Sequence, residues 1–133
     1  MRNIKSIISS VAITLLVTLN CANAAISTGD LYEMCKKFSE KGFKFETGDD
    51  SLCSTYVMGM VDFSALVCGM TEVDKANPDT AKARYFFGSS ADVSDYRAII
   101  QSFVNAAKTK PEEWKYTANA EVREAIVRVA PCE

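Results

Sequence analysis

The chain of 133 residues contains no histidine. Histidine is the usual general base that activates a serine or cysteine nucleophile, so its absence argues against the common mechanisms of hydrolases. A pair of carboxylates such as Asp62 and Glu72 can act without histidine, but nothing in the spacing separates this pair from ordinary surface acids. We therefore expect a protein that is not an enzyme and that uses no cofactor.

The sequence also lacks the basic stripe that nucleic-acid binding requires. A phosphate backbone is met by clustered lysines and arginines that acids do not offset. The one local group of lysines is interleaved with acids, which is typical of a solvated helix face: Lys36, Lys37, Lys41 and Lys44 stand among Glu33, Glu40 and Glu46. Nucleic acid is therefore not an expected partner.

The first 24 residues have the features of a cleavable export signal. Two basic residues precede a largely apolar stretch at 7–19, and Ala22-Asn23-Ala24 matches a signal peptidase site. About 13 apolar positions are too few for a spanning helix, which needs roughly 20. We predict that residues 1–24 are removed and that residues 25–133 form a single domain in the bacterial periplasm.

Lipoprotein processing at Cys21 is the alternative fate of this leader. It requires a small residue where the chain has Asn20, so we favour simple cleavage. The remaining chain has 13 basic and 17 acidic residues, a net charge of −4. No later apolar span is evident in the sequence, so we expect no membrane association after cleavage.

Four stretches repeat apolar residues at the 3.6-residue period of helices, and no alternating strand pattern competes with them. They predict helices at about 28–41, at about 50–68, from near residues 92–94 to before Pro111, and from near residues 117–119 to before Pro131. The predicted fold is all-α, a compact four- to five-helix bundle stapled by two disulfides. The second stretch is apolar nearly all round, which predicts that it is the buried central helix.

Polar residues before each stretch mark its expected start, and glycine or proline marks its expected end. The candidate caps are Ser27 or Thr28, Asp50 or Ser51, Asp92 or Ser94, and Thr117 or Asn119, in chain order. The candidate stops are Gly42, Pro111 and Pro131.

Two connections, residues 42–49 and 69–91, have the composition of loops. The second is long for a small domain, and such loops are commonly functional; a short helix is expected within it, at about 76–85. Aromatic anchors in polar loops are typical of binding hot spots. The candidate partner-binding residues are Tyr85, Phe86, Phe87, Trp114 and Tyr116. The alternative is structural: residues 85–87 fill the core, and Trp114 covers the junction of the third and fourth helices.

Four cysteines remain after the leader: Cys35, Cys53, Cys68 and Cys132. An even number in an exported chain predicts disulfides. Zinc is the alternative, but closed zinc sites favour close pairs such as C-x-x-C, which are missing here, so we expect no metal. Of the three possible pairings we favour Cys35 with Cys53 across the first helical hairpin, and Cys68 with Cys132.

Tyr56, Gly59 and Asp62 share one face of the second helix because they are three residues apart. We expect architectural roles for them. Gly59 would let another helix approach closely, while the Tyr56 hydroxyl and the Asp62 carboxylate would satisfy polar groups at the edge of a buried helix.

The run from Cys53 to Asp62, CSTYVMGMVD, resembles the C-x-x-Y-[IV]-x-G-[VM]-x-D helix of the Rap/Tai family of bacterial type VI secretion immunity proteins. The end of the chain, from Glu121 to Pro131-Cys132, resembles the last helix of that family, which closes on Pro-Cys. One departure is the insertion at 69–91, because the family usually reaches its third helix within a few residues of the third cysteine.

The resemblance implies a periplasmic immunity protein without chemistry of its own. Such proteins bind a cell-wall amidase or another effector toxin and block its active-site cleft, often as homodimers. The shared motif does not specify the contact residues, so none is transferred to this chain. The alternative from another class is an HdeA-like periplasmic acid-stress chaperone, which is also a small, histidine-free, disulfide-bonded helical bundle but normally has one bridge.

Overall fold

The computed structural model describes residues 25–72, Asp79 and residues 96–132. Four α-helices lie in these ranges: α1 (Thr28–Glu40), α2 (Gly48–Glu72), α3 (Tyr96–Thr109) and α4 (Asn119–Val129), with a 3₁₀ turn at Pro111–Glu113. In the same ranges, strand pairing is limited to an isolated antiparallel bridge between Ser27 and Thr117. The predicted all-α bundle is confirmed.

Several predictions concern residues that the structure does not describe. The leader at 1–24, the short helix expected at about 76–85 apart from Asp79, and the candidate caps Asp92 and Ser94 lie outside the described residues.

Ser27 caps α1, as one of the two candidates predicted. Its side-chain oxygen accepts a hydrogen bond from the Asp30 backbone N–H at 3.1 Å, which satisfies one of the unpaired donors at the start of the helix. α1 ends at Glu40, and Gly42 follows with a φ of +67°. This backbone conformation favours glycine, and it explains why the chain turns there.

α2 begins earlier than predicted, because Thr47 is its cap and neither Asp50 nor Ser51 takes that role. The Asp50 backbone N–H donates to Thr47 Oγ1 at 3.3 Å, and the Thr47 backbone N–H donates to Asp50 Oδ2 at 2.8 Å. This reciprocal pair is a capping box with aspartate in place of the usual glutamate or glutamine. The signal was present in the sequence as Thr47-Gly48-Asp49-Asp50.

The fully buried Asp50 carboxylate also joins the α1–α2 turn to the helix. The Glu46 backbone N–H donates to its Oδ2 at 2.9 Å, and Lys41 Nζ lies 3.4 Å from the same oxygen. These donors, the Glu46 backbone first, lower the pKa of Asp50 from 3.8 to about 2 although burial acts in the opposite direction. The turn is therefore held by a carboxylate that stays ionised well below neutral pH.

α4 begins without the predicted side-chain cap. The residue before it is Ala118, and no side chain caps the helix there. Asn119 instead accepts a hydrogen bond from the Tyr56 hydroxyl on α2, and Thr117 pairs with Ser27 in the isolated bridge. Both polar residues therefore bind neighbouring segments of the chain in place of capping the helix.

The most central helix is α3, which contacts α1, α2 and α4. Its buried face meets the apolar faces of the other three described helices. The largest side chains with no exposed surface come from α1, α3 and α4: Phe38, Phe103, Leu31, Ile99, Ile100 and Ile126. Burial of each such side chain contributes roughly 1.5–3 kcal/mol to folding. The prediction that α2 is the buried centre is wrong, because large apolar side chains on one of its faces are exposed.

Two disulfides close the bundle with the favoured pairing. Cys35 on α1 bonds Cys53 on α2 with their Cα atoms 5.2 Å apart, and Cys68 near the end of α2 bonds Cys132 with Cα atoms 6.0 Å apart. The first bridge is buried in the core, and the second ties the segment after α4 to the far end of α2. Because disulfides persist in oxidising compartments, this pairing indicates a non-cytoplasmic environment.

Candidate functional site

The aromatic residues predicted to bind a partner lie in different surroundings. Tyr85, Phe86 and Phe87 lie outside the described residues. Trp114 is half-buried, with its ring centroid 4.8 Å from that of Tyr32.

Backbone and side-chain contacts surround Trp114. Its indole Nε1 donates to the Ala107 carbonyl at 2.8 Å, and its own carbonyl accepts from the Gly29 backbone N–H at 3.0 Å. A Cβ on Gly29 would lie 3.0 Å from the Trp114 Cβ, a tight contact that a larger residue could make only if Trp114 shifted by a few tenths of an ångström. Trp114 thus joins the start of α1 to the end of α3 and the segment that follows it.

Tyr116 differs from Trp114 because its side chain is exposed. Its carbonyl accepts from the Thr28 backbone N–H at 2.8 Å, which ties its backbone to α1 and leaves the ring outside. Lys115 Nζ lies 5.1 Å from the centre of the ring. Tyr116 is therefore placed where a partner can reach it.

The three motif residues on α2 do not share one role. Tyr56 is half-buried, and its hydroxyl donates to Asn119; burial raises the pKa of that hydroxyl. The expected close approach of another helix at Gly59 is wrong for the described helices, because no atom of the described residues lies within 4 Å of the place where a Cβ would stand. Asp62 is exposed, and in the described part of the chain its carboxylate does not meet a buried polar group at the helix edge.

A row of exposed apolar side chains runs along α2, and we name it the α2 face. Its members are between 46% and 65% exposed. They are Leu52, Met58, Phe63, Leu66 and Met70. Gly59 and Asp62 are also exposed and lie between them on the same helix. On the other side of α2, Cys53 and Val57 are fully buried in the core.

The sequence pattern did not predict the α2 face, because a helix that is apolar all round is expected to be buried all round. A second signal was present. Alternating spacings of four and three residues separate Leu52, Tyr56, Gly59, Phe63, Leu66 and Met70. This spacing is the heptad pattern of a helix that meets another helix along one seam.

α2 also corrects the expectation that no apolar span follows the leader. Within the described part of the chain, Gly48–Thr71 is the one helix that is long and apolar enough to cross a membrane by these two criteria. The core helix of a soluble protein meets the same criteria. α2 packs against α1, α3 and α4 and carries one cysteine of each disulfide. Its length and composition alone therefore do not identify it as a membrane-spanning helix.

A charged cluster around Lys110 occupies the end of the bundle near the start of α4. Lys110 Nζ lies 3.5 Å from Glu113, 3.5 Å from Glu121 and 3.9 Å from Glu124. Burial is the main cause that raises the pKa of Glu121, and its hydrogen bond with Glu113 is the second. The same hydrogen bond lowers the pKa of Glu113. Glu121, chiefly, raises the pKa of Lys110. The lysine thus neutralises carboxylates that would otherwise repel one another.

Two surface depressions lie beside α3. One of about 670 Å³ is lined by small and polar side chains of α3 together with Arg128, and one of about 350 Å³ lies between α1 and α3. In the described ranges no three histidine, cysteine or acidic side chains are placed to hold a metal ion. Neither depression therefore presents a group of convergent reactive side chains.

Comparisons of the chain with known protein families, with curated proteins and with solved structures find no match.

Proposed function

We propose that this chain is a periplasmic immunity protein that binds and neutralises a type VI secretion effector, a cell-wall amidase or another toxin, by blocking its active-site cleft. The observation that carries the proposal is the disulfide-bonded bundle itself. Two of its four bonded cysteines, Cys53 in the α2 motif and Cys132 in the terminal Pro-Cys, stand at positions that carry the resemblance. The resemblance supplies the class of partner.

The physical properties of the bundle suit an inhibitor. Two covalent bridges hold four helices in one arrangement, so little conformational entropy is lost when a partner binds. The α2 face and Tyr116 offer exposed apolar and aromatic side chains to a partner. A protein that blocks a cleft needs only complementary shape and chemistry, and no reactive group of its own.

Growth rescue tests the proposal directly. The full chain, with its leader, is expressed in a bacterium that also exports the secreted toxin encoded beside it. We expect growth to be restored and the two proteins to purify together. A matched strain that expresses the chain without residues 1–24 should not be rescued, because the inhibitor then stays in the cytoplasm. Growth arrest in both strains, with no complex, would reject the immunity function.

A second candidate function has one observation in its favour. The exposed apolar side chains of the α2 face are the kind of surface with which an HdeA-like acid-stress chaperone binds unfolded clients. The two disulfides favour a rigid protein over one that unfolds to act. At about pH 2 to 3, a chaperone loses tertiary structure and suppresses client aggregation. We expect retained near-ultraviolet circular dichroism and no client protection.

A further inference from the structure

We propose that the α2 face is the docking surface for a protein segment with an apolar ridge flanked by lysine or arginine side chains. The inference deepens the proposed function. It rests on that function only where it identifies the partner as the effector toxin. It assigns recognition to α2 in addition to the loop aromatics.

The size of the α2 face is the first argument. Five large apolar side chains about half exposed present on the order of 500 Å² of apolar surface. A standard protein interface covers about 800 Å² on each partner and has an apolar centre with a polar rim. The α2 face therefore has the area of an interface centre.

The shape of the face is the second argument. The heptad spacing from Leu52 to Met70 aligns four of the five side chains, those of Leu52, Phe63, Leu66 and Met70, along one seam over most of the helix, and Met58 lies to one side of it. In the middle of the seam, Gly59 leaves open space where other residues would place a Cβ. A helix or ridge laid along the seam can come closest at this point and contact Leu66 and Leu52 on either side.

The charge of α2 decides the chemistry of the partner. The helix has no lysine or arginine between residues 48 and 72. Asp62 is exposed three residues after Gly59 and four before Leu66, so its carboxylate borders the middle of the seam; Asp49 is exposed near the start of the helix. An apolar strip bordered by carboxylates is complementary to an apolar ridge bordered by cations.

A second copy of the chain is a poorer occupant. A two-fold interface centred on Gly59 would place the Asp62 carboxylates of both copies in one interface, with no lysine or arginine of α2 to offset them. Like charges across an interface oppose association. An anionic lipid surface is disfavoured for the same reason, since α2 offers it carboxylates and no cation.

The test uses the exported, purified protein and two designed helical peptides of about three heptads. Both peptides have the same leucine stripe, and the flanking positions are lysine in one and glutamate in the other. By titration calorimetry we expect the lysine peptide to bind about tenfold more tightly than the glutamate peptide. Asp62→Lys should reverse that preference.

Variants of exposed apolar residues locate the site. Leu66→Gln should weaken binding of the lysine peptide about tenfold, because one leucine is no longer buried in the complex. Met70→Gln is a second variant of the same face, with the same expected loss. Val129→Gln on α4 is the matched control, since Val129 is also exposed, and should leave the affinity unchanged. All variants should keep the wild-type melting temperature.

Several results would overturn the inference. The first two are that the wild type binds neither peptide, or binds both equally. The third is a dimer in sedimentation that Leu66→Gln dissociates, which would make a second copy the occupant. The fourth is binding to phosphatidylglycerol or phosphatidylcholine vesicles that Leu66→Gln abolishes, which would make a lipid surface the occupant. Full rescue from the toxin by Leu66→Gln, with no peptide binding by the wild type, rejects the surface and retains the immunity function. If the wild type binds the lysine peptide but gives no rescue from the toxin, the docking surface is retained and the immunity function is rejected.

Discussion

Removal of each disulfide should show whether burial or loop length decides its contribution to stability. The perturbations are Cys35→Ala with Cys53→Ala for the inner bridge, and Cys68→Ala with Cys132→Ala for the outer bridge. The bridges join residues 18 and 64 apart in sequence. If loop closure in the unfolded chain were the only effect, the free energy of unfolding would fall by about 3 kcal/mol for the inner bridge and about 4 kcal/mol for the outer one.

Burial reverses that order. Cys35 and Cys53 are completely buried in the core, whereas Cys68 is slightly exposed and Cys132 half-exposed. Each sulfur removed from a sealed core leaves a cavity that costs about 1 kcal/mol, an amount similar to the loss of one buried methyl group. The inner bridge should then contribute about 5 kcal/mol in all, against about 4 kcal/mol for the outer one.

Urea unfolding followed by far-ultraviolet circular dichroism measures both losses, with sucrose at one concentration in every sample so that the weaker variants stay folded. We expect the inner variant to be the less stable by about 1 kcal/mol, and both variants to show a steeper denaturant dependence because their unfolded chains expand further. An outer variant less stable than the inner one would refute the argument from burial. Equal and small losses would refute the loop-closure contribution itself.

Three further predictions concern single side chains. Asp50→Asn should lower the melting temperature at pH 7. Because the pKa of Asp50 is depressed to about 2, the wild type should lose its stability advantage over the variant as the pH falls from about 4 to about 2. A difference in melting temperature that stays constant across this window would contradict the link between protonation of Asp50 and stability. Trp114→Phe removes the hydrogen bond to the Ala107 carbonyl and should cost about 1 kcal/mol in urea unfolding, whereas Tyr116→Phe, at an exposed ring, should cost almost nothing. Glu121→Gln should be more stable than the wild type at pH 7. The pKa of Glu121 is raised in the folded protein, so the stabilising contribution of its protonated form is present below its ordinary pKa of 4.5 and is lost as the pH rises. A stability advantage of the variant that persists unchanged at pH 4 would contradict this reasoning.

Much of the candidate site lay beyond sequence patterns because these describe one segment at a time. Periodicity identified α2 as a helix, but it does not say how many sides of a helix its neighbours cover. In the described ranges, the helices packed around a core centred on α3 cover one side of α2 and leave Leu66 and Met70 exposed. Similarly, the role expected for Gly59 required a close neighbour at that position. The close contact of this kind is instead at Gly29, which Trp114 approaches.

The amino-acid sequence by itself predicted the helical class, both ends of α1, the C-terminal ends of α3 and α4, and the favoured cysteine pairing of this protein. These depend on apolar spacing, on Ser27 and the prolines near the ends, and on which helix ends a short turn brings together. The tertiary structure alone decided that Trp114 joins α1 to the end of α3, that Asn119 receives the Tyr56 hydroxyl, and that one face of α2 remains exposed. Such contacts join residues far apart in the chain, and their energies depend on how the helices pack.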